Sequence, residues 1–144
     1  MKAKNKQISQ VKNPEKLPLW NLSDLYKSKS SKELTNDLNF IKIKTKKFEK
    51  KYFNKLHNLN SKQLYQSIIE LEKIDMIMDK ILSYAHLLVA EDGNNEKNKI
   101  FYQQMQEKIT NYASSIIFFT LELNQITEKQ ANKLVKNHNL QIYK

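Results

Sequence analysis

The chain has 144 residues, of which 40% are hydrophobic and 28% are charged, and this balance excludes an intrinsically disordered protein. One glycine and two prolines are too few for the many tight turns of a β-rich fold. The absence of cysteine excludes disulfide bonds and thiolate metal sites. We therefore expect an all-α protein that suits the reducing cytoplasm.

The formal net charge is +10, and all 25 basic residues are lysines. The excess lies in residues 1–60, which hold 15 lysines and 5 acidic residues, whereas residues 61–144 hold 10 of each. Arginine, which is better suited to bidentate contacts with phosphate or guanine, is absent, so specific nucleic-acid recognition is not expected. A solvated lysine face is the main interpretation. Nonspecific binding of nucleic acid or an anionic membrane through the first helix stays open.

Residues 1–16 are polar and are expected to form a disordered or loosely docked tail. They lack the apolar region of a secretory signal. Residues 17–144 are expected to form one helical domain that is incomplete at its C-terminus. No apolar run in the sequence approaches the ~18 residues that a membrane span requires.

The domain opens with LPLWNLSDLY, residues 17–26, which includes the only tryptophan. Pro18 restrains the residue before it to an extended conformation. We expect Trp20, Leu22 and Leu25 to lie across the helices as a clasp, with the Trp20 ring buried. Asp24 and Tyr26 complete the same segment.

Two long helices are predicted next. The first spans about residues 31–57 and begins with a capping box of Ser30 and Glu33, and Thr45 fills a gap in its apolar stripe. The second has Ser61 as its N-cap candidate, carries two adjacent apolar stripes and ends at Gly93, the one strong helix breaker.

A third long helix is predicted over about residues 95–124. Its second half, SSIIFFTLEL (114–123), is apolar nearly all round and is expected to be the most buried part. A capping box of Thr127 and Gln130 predicts a short fourth helix at about residues 128–137. Short connections make successive helices antiparallel, so the prediction is an elongated antiparallel array of three long helices and a short fourth.

Residues with catalytic potential are few. The three histidines, His57, His86 and His138, are far apart in the sequence, and His86 is expected to be a packed or half-buried helix residue rather than a metal ligand. Asp75 interrupts an apolar stripe, and Glu122 lies within FFTLEL. A buried carboxylate at either position would need a partner or a raised pKa. No catalytic, cofactor-binding or metal-binding residue is predicted.

Four segments together resemble oligoendopeptidase F, a zinc peptidase family related to the thimet oligopeptidases. The first matches the family's opening pattern through Leu17, Pro18, Trp20, Asn21, Leu22, Ser23, Asp24, Leu25 and Tyr26. The others are FEKKYFNKL (48–56), SYAHLLVAED (83–92) and FFTLEL (118–123), which follow in the family's order and spacing.

The resemblance implies the noncatalytic N-terminal helical region of such a peptidase, which walls a channel over the catalytic domain. The family's zinc-binding His-Glu-x-x-His motif lies much farther along and has no counterpart here, so this chain alone is expected to be inactive. Three origins stay open: a truncated chain, the product of a split gene, or the remnant of a decayed gene. Its partner would be a separately encoded catalytic part or a second copy of the chain, and peptides would bind only in the complete enzyme. The alternative is a stand-alone helical interaction protein that self-associates.

Overall fold

The computed structural model describes residues 20–136 and 138–143, so Pro18 and the predicted tail of residues 1–16 lie outside the described residues. All regular secondary structure in the described part is helical, which confirms the all-α prediction. The helices are α1 (Lys32–Tyr52), α2 (Ser61–Glu91), α3 (Glu96–Ser114), α4 (Phe118–Leu123) and α5 (Glu128–Leu134), with 3₁₀ helices at Leu56–Asn58 and His138–Tyr143.

Helices α1 and α2 are antiparallel neighbours. Lys51, near the end of α1, forms a salt bridge with Glu70, near the start of α2. Asp37, near the start of α1, forms one with Lys80 in the second half of α2. The order of the partners is therefore reversed between the two helices, as the short connection predicts.

Helix α3 returns antiparallel to α2 and also contacts α1. The rings of Tyr84 and Phe101 meet edge to face at 6.1 Å. Nearer the turn, the buried Asn98 side chain donates a hydrogen bond to the carbonyl oxygen of Leu88 at 2.8 Å. Because α2 packs against both α1 and α3, it needs the wide apolar face that its two stripes predict.

The apolar stripe of α1 faces the core as predicted. Ile41, Phe48 and Tyr52 are buried, and so is Leu56 in the following 3₁₀ helix. Thr45 fills the gap in the stripe with its side chain 1% exposed, and its hydroxyl donates to the carbonyl oxygen of Ile41 at 2.9 Å. This backbone bond satisfies the hydroxyl group that the stripe buries.

Two predicted helix starts are each wrong by one residue. The N-cap of α1 is Ser31 rather than Ser30, and its side chain accepts from the Leu34 amide. The N-cap of α2 is Asn60 rather than Ser61, and it forms a reciprocal capping box with Gln63. In both cases the residue with extended backbone geometry provides the cap.

The capping box that opens α5 is confirmed, because the side chain of Thr127 accepts from the Gln130 amide and the Gln130 side chain accepts from the Thr127 amide. Helix α5 ends at Leu134, three residues before the predicted end at residue 137.

Helix α1 ends at Tyr52 rather than near residue 57, because Asn54 has a φ of 58° and reverses the chain. Helix α2 ends at Glu91 with Asp92 as its C-cap. Gly93 lies in the turn that follows, and its φ is not in the left-handed region. Gly93 therefore does not supply the left-handed cap that often ends helices.

The predicted third helix is interrupted between Ser114 and Phe118. The Ser114 hydroxyl donates to the Asn111 carbonyl oxygen, and the Ser115 and Ile116 amides donate to carbonyls three residues earlier. A serine hydroxyl that bonds the backbone in this way competes with the hydrogen bonds of the α-helix. The 3₁₀-type bonds that replace them change the direction of the chain.

This interruption changes which side chains of SSIIFFTLEL are buried. Ile116, Phe118 and Phe119 are buried, whereas Ile117 and Leu121 are 62% and 57% exposed. The prediction that this stretch is the most buried part of the chain is therefore only half right. Its apolar residues divide between the core and an exposed face of α4.

Candidate functional site

The segment before α1 is folded by local hydrogen bonds. The Asn21 side-chain oxygen accepts from the amide and the hydroxyl of Ser23, at 3.1 Å and 2.6 Å. The Leu22 carbonyl oxygen accepts from the amides of Leu25 and Tyr26, at 3.0 Å and 3.1 Å. Asparagine is suited to such a turn because its side chain replaces a backbone acceptor. The turn directs Tyr26 towards the helices.

We call the cluster of Tyr26, Asp37, Lys80 and Tyr84 the N-terminal joint. Tyr26 is 2% exposed, and its ring meets that of Tyr84 edge to face at 5.3 Å. Its hydroxyl donates to an Asp37 carboxylate oxygen at 2.7 Å, and that oxygen also accepts from the Lys80 ammonium at 3.2 Å. The ammonium lies 4.2 Å from the Tyr26 ring centroid.

The N-terminal joint favours a neutral phenol. Burial raises the pKa of Tyr26 well above its ordinary value, and the hydrogen bond and negative charge of Asp37 raise it further. The neutral phenol donates the bond that the carboxylate accepts. The arrangement is therefore a structural contact between the N-terminal segment, α1 and α2.

The expected burial of Trp20 is wrong. Its side chain is 52% exposed, while its backbone amide donates to a Glu91 carboxylate oxygen at 3.0 Å. Leu22 and Leu25 are partly buried against the core, as a clasp requires, and Asp24 is exposed. The clasp therefore rests on the two leucines, Tyr26 and one backbone hydrogen bond rather than on the indole ring.

Glu122 forms a second contact, between α4 and the loop after α1. Its carboxylate accepts from the Asn54 amide at 2.6 Å and from the Leu56 amide at 3.2 Å. These amides lie at the start of the 3₁₀ helix Leu56–Asn58, where backbone donors lack helical partners. The sequence analysis expected a buried Glu122 carboxylate to need a partner, and that partner is the backbone of a distant loop.

Aromatic rings also connect α4 with the end of α1. We call Phe48, Phe53, Asn54, Phe118 and Glu122 the C-terminal joint. Phe118 meets Phe53 edge to face at 5.2 Å and lies 6.0 Å from Phe48. The apolar rings and the carboxylate both connect the end of α1 with α4.

The four segments that resemble oligoendopeptidase F pack in two pairs. The N-terminal joint connects the described part of the first segment, residues 20–26, with residues 83–92 through Tyr26 and Tyr84. The C-terminal joint connects residues 48–56 with residues 118–123 through Asn54 and Glu122. Within the described residues, each of these segments therefore contacts a segment that is distant in the sequence.

The three histidines do not converge. His57 lies in the 3₁₀ helix after α1, His86 is on α2 and His138 is in the last 3₁₀ helix. His86 is exposed rather than half-buried, with its ring 5.7 Å from that of Tyr102. Over residues 20–136 and 138–143, no group of three or more His, Asp or Glu side chains could hold a metal ion.

Asp75 lies at the exposed edge of α2. Partial burial raises its pKa, and the neighbouring carboxylates of Asp79 and Glu72 raise it further. Both of these neighbouring carboxylates belong to α2 itself.

Asp37 and Lys80 were not singled out from the sequence. One signal was available: Asp37 lies three residues after Leu34 and four before Ile41, so it shares the apolar stripe of α1. An acidic residue at such a position needs a partner. The identity of that partner depends on how α1 and α2 pack, which the local pattern does not specify.

Comparison with protein-family models, with curated proteins and with solved structures gives no match to this chain. None of the helices in the described ranges is long and apolar enough to cross a membrane.

Proposed function

We propose that this chain is the noncatalytic N-terminal helical region of an oligoendopeptidase F-like zinc metallopeptidase. The observation that carries the proposal is the packing of the four resembling segments into two joints. Each joint combines aromatic contacts with a hydrogen bond to a carboxylate. Residues that hold a helical scaffold together are those that a noncatalytic wall region would need.

Exposed apolar side chains on α4 also support the proposal. Ile117 and Leu121 are one helical turn apart and 62% and 57% exposed. Such a pair is suited to an interface with another part of an enzyme. In this proposal the zinc belongs to the catalytic part, and short peptides bind only when both parts are present.

The sharpest test searches the source genome for a catalytic domain with a His-Glu-x-x-His motif, starting with the DNA that follows codon 144. Coexpression of that domain with this chain should give a complex that cleaves a quenched peptide in a zinc-dependent way. A catalytic domain that neither copurifies with this chain nor depends on it for activity would contradict the proposal.

The purified chain provides a second test. Incubated alone with the same quenched peptide, with and without added zinc, it should leave the peptide intact. Metal-dependent cleavage that follows the chain through purification would overturn the assignment of a noncatalytic region.

A second candidate is a stand-alone helical protein that self-associates. It is favoured by Ile69 and Met76, which lie seven residues apart on α2 and are 39% and 71% exposed. This spacing places both on one helical face. Sedimentation should then show one discrete oligomer. Replacing Met76 with lysine should dissociate it, whereas the peptidase proposal expects no such oligomer.

A further inference from the structure

A crevice rich in lysine runs between α1 and α2. One part has a volume of about 370 Å³ and a floor that includes Phe40, Phe48 and Ile74. A second part, of about 450 Å³, continues past Tyr52, and Lys51 lines both. We call the whole the lysine crevice. Its lysines are Lys44, Lys47, Lys51, Lys55, Lys62 and Lys73.

The charge of the lysine crevice is strongly unbalanced. Six lysines line it against one carboxylate, Glu70, which is paired with Lys51. Such a cleft attracts anions because its low-dielectric walls concentrate the field of like charges.

Aromatic rings hold several of these ammonium groups near the crevice. Those of Lys44 and Lys73, from opposite helices, lie 5.5 Å and 5.9 Å from the centroid of the Phe40 ring. The Lys51 ammonium lies 4.7 Å from the Tyr52 ring centroid. Cation–π contacts of this kind orient a flexible lysine without neutralising its charge.

The shape and spacing favour a chain of phosphates as ligand. Lys44, Lys47 and Lys51 share one stripe of α1 and span roughly 10 Å at ~1.5 Å per residue. This length corresponds to about three phosphates of a stacked single strand at ~3.4 Å each. A strand can lie along the crevice between two helices, whereas a flat membrane surface cannot enter it.

We propose that the lysine crevice binds the phosphate backbone of single-stranded nucleic acid without reading its sequence. Lysine contacts phosphate as a point charge, so the absence of arginine removes base readout but not this attraction. The inference is independent of the peptidase proposal, because the lysine crevice lies within this chain and its binding of nucleic acid needs no catalytic part.

The test is fluorescence anisotropy with a short labelled oligothymidylate and the full chain, repeated at increasing NaCl concentration. With about four phosphate contacts, log K should fall against log salt with a slope of about −3. A triple variant, Lys44→Gln, Lys47→Gln and Lys73→Gln, should bind about tenfold or more weakly and reduce the slope by about 2.

The matched control removes the same charge away from the lysine crevice. Lys42 and Lys46 lie about 100° or more around α1 from Lys44, Lys47 and Lys51, and Lys108 is exposed on α3; none of the three lines the lysine crevice. The triple variant Lys42→Gln, Lys46→Gln and Lys108→Gln should change the affinity by less than about threefold. Circular dichroism confirms that both variants fold.

Three results would overturn the inference. Equal losses in the two triple variants would mean that net charge alone drives binding. No binding to oligothymidylate at low salt would mean that single-stranded nucleic acid is not the ligand. Tighter binding to phosphatidylserine vesicles or to polyglutamate than to oligothymidylate would assign the crevice to a membrane or an acidic peptide instead.

Discussion

The two joints use the same kind of bond at different depths. In the N-terminal joint, Asp37 accepts from Tyr26, whose side chain is 2% exposed. In the C-terminal joint, Glu122 is half-buried and accepts from the amide of Asn54, an exposed residue. A hydrogen bond contributes more to stability where its loss would leave a buried donor or acceptor that water cannot reach. The N-terminal joint should therefore stabilise the fold more.

The salt bridge of the N-terminal joint explains little of that difference. The side chains of Asp37 and Lys80 remain 25% and 37% exposed, so water and salt weaken their attraction. The burial of the Tyr26 ring and its contact with Tyr84 contribute more to the stability of this joint than the salt bridge does.

The largest expected effect is that of Tyr26→Ala. Removing a fully buried aromatic side chain should lower the free energy of unfolding by about 3–5 kcal/mol. Urea unfolding followed by circular dichroism measures the loss. Tyr102→Ala, which truncates a half-buried tyrosine on α3, is the control and should cost clearly less. A cost of Tyr26→Ala no greater than the control would remove the distinction between the joints.

Tyr26→Phe isolates the hydroxyl and should cost about 1–2 kcal/mol at neutral pH. The pKa of Tyr26 is raised above its ordinary value of 10.0 in the folded state. The stabilisation is therefore fully present below about pH 10 and is lost as the pH rises towards the folded-state pKa. Urea midpoints at about pH 9 and pH 11 should fall more in the wild type than in Tyr26→Phe.

The comparison within this pair controls for the other titrating groups. Burial also raises the pKa of Tyr84, and the lysines lose their charge in the same alkaline range, but both contributions are common to the two proteins. Parallel losses of stability would show that Tyr26 does not carry the alkaline sensitivity.

Glu122→Gln tests the C-terminal joint. Glutamine keeps the size of the side chain but removes the charge and leaves one acceptor oxygen for the two amides, so we expect a loss of about 1–2 kcal/mol. Glu107→Gln on the exposed face of α3 is the matched control and should stay within about 0.5 kcal/mol. If the two variants behaved alike, Glu122 would be a surface residue with no role in joining α4 to the loop.

Helix content could be predicted from the sequence because it depends on local patterns. The stripe through Ile41, Thr45 and Phe48 repeats at three- and four-residue steps, and its residues are buried. The Thr127–Gln130 capping box likewise needs only residues three apart. Each such signal is complete within one helix or its first turn.

The errors have two physical sources. The break after Ser114 was missed because a hydroxyl bond to the backbone competed with an otherwise continuous helical pattern. The joints were missed because their partners are distant: Asn54 and Glu122 are 68 residues apart. The sequence indicated that Glu122 needs a partner, whereas only the packing of the helices identifies the loop that supplies it.

Trp20→Ala should have the smallest effect, below about 1 kcal/mol, because the ring is half exposed and alanine retains the amide that donates to Glu91. As the only tryptophan, Trp20 also reports its own environment. Its fluorescence should be red-shifted and readily quenched by iodide in the native protein. A blue-shifted emission that iodide does not reach would mean that the indole is buried. The N-terminal segment would then be held by its tryptophan as well as by Tyr26.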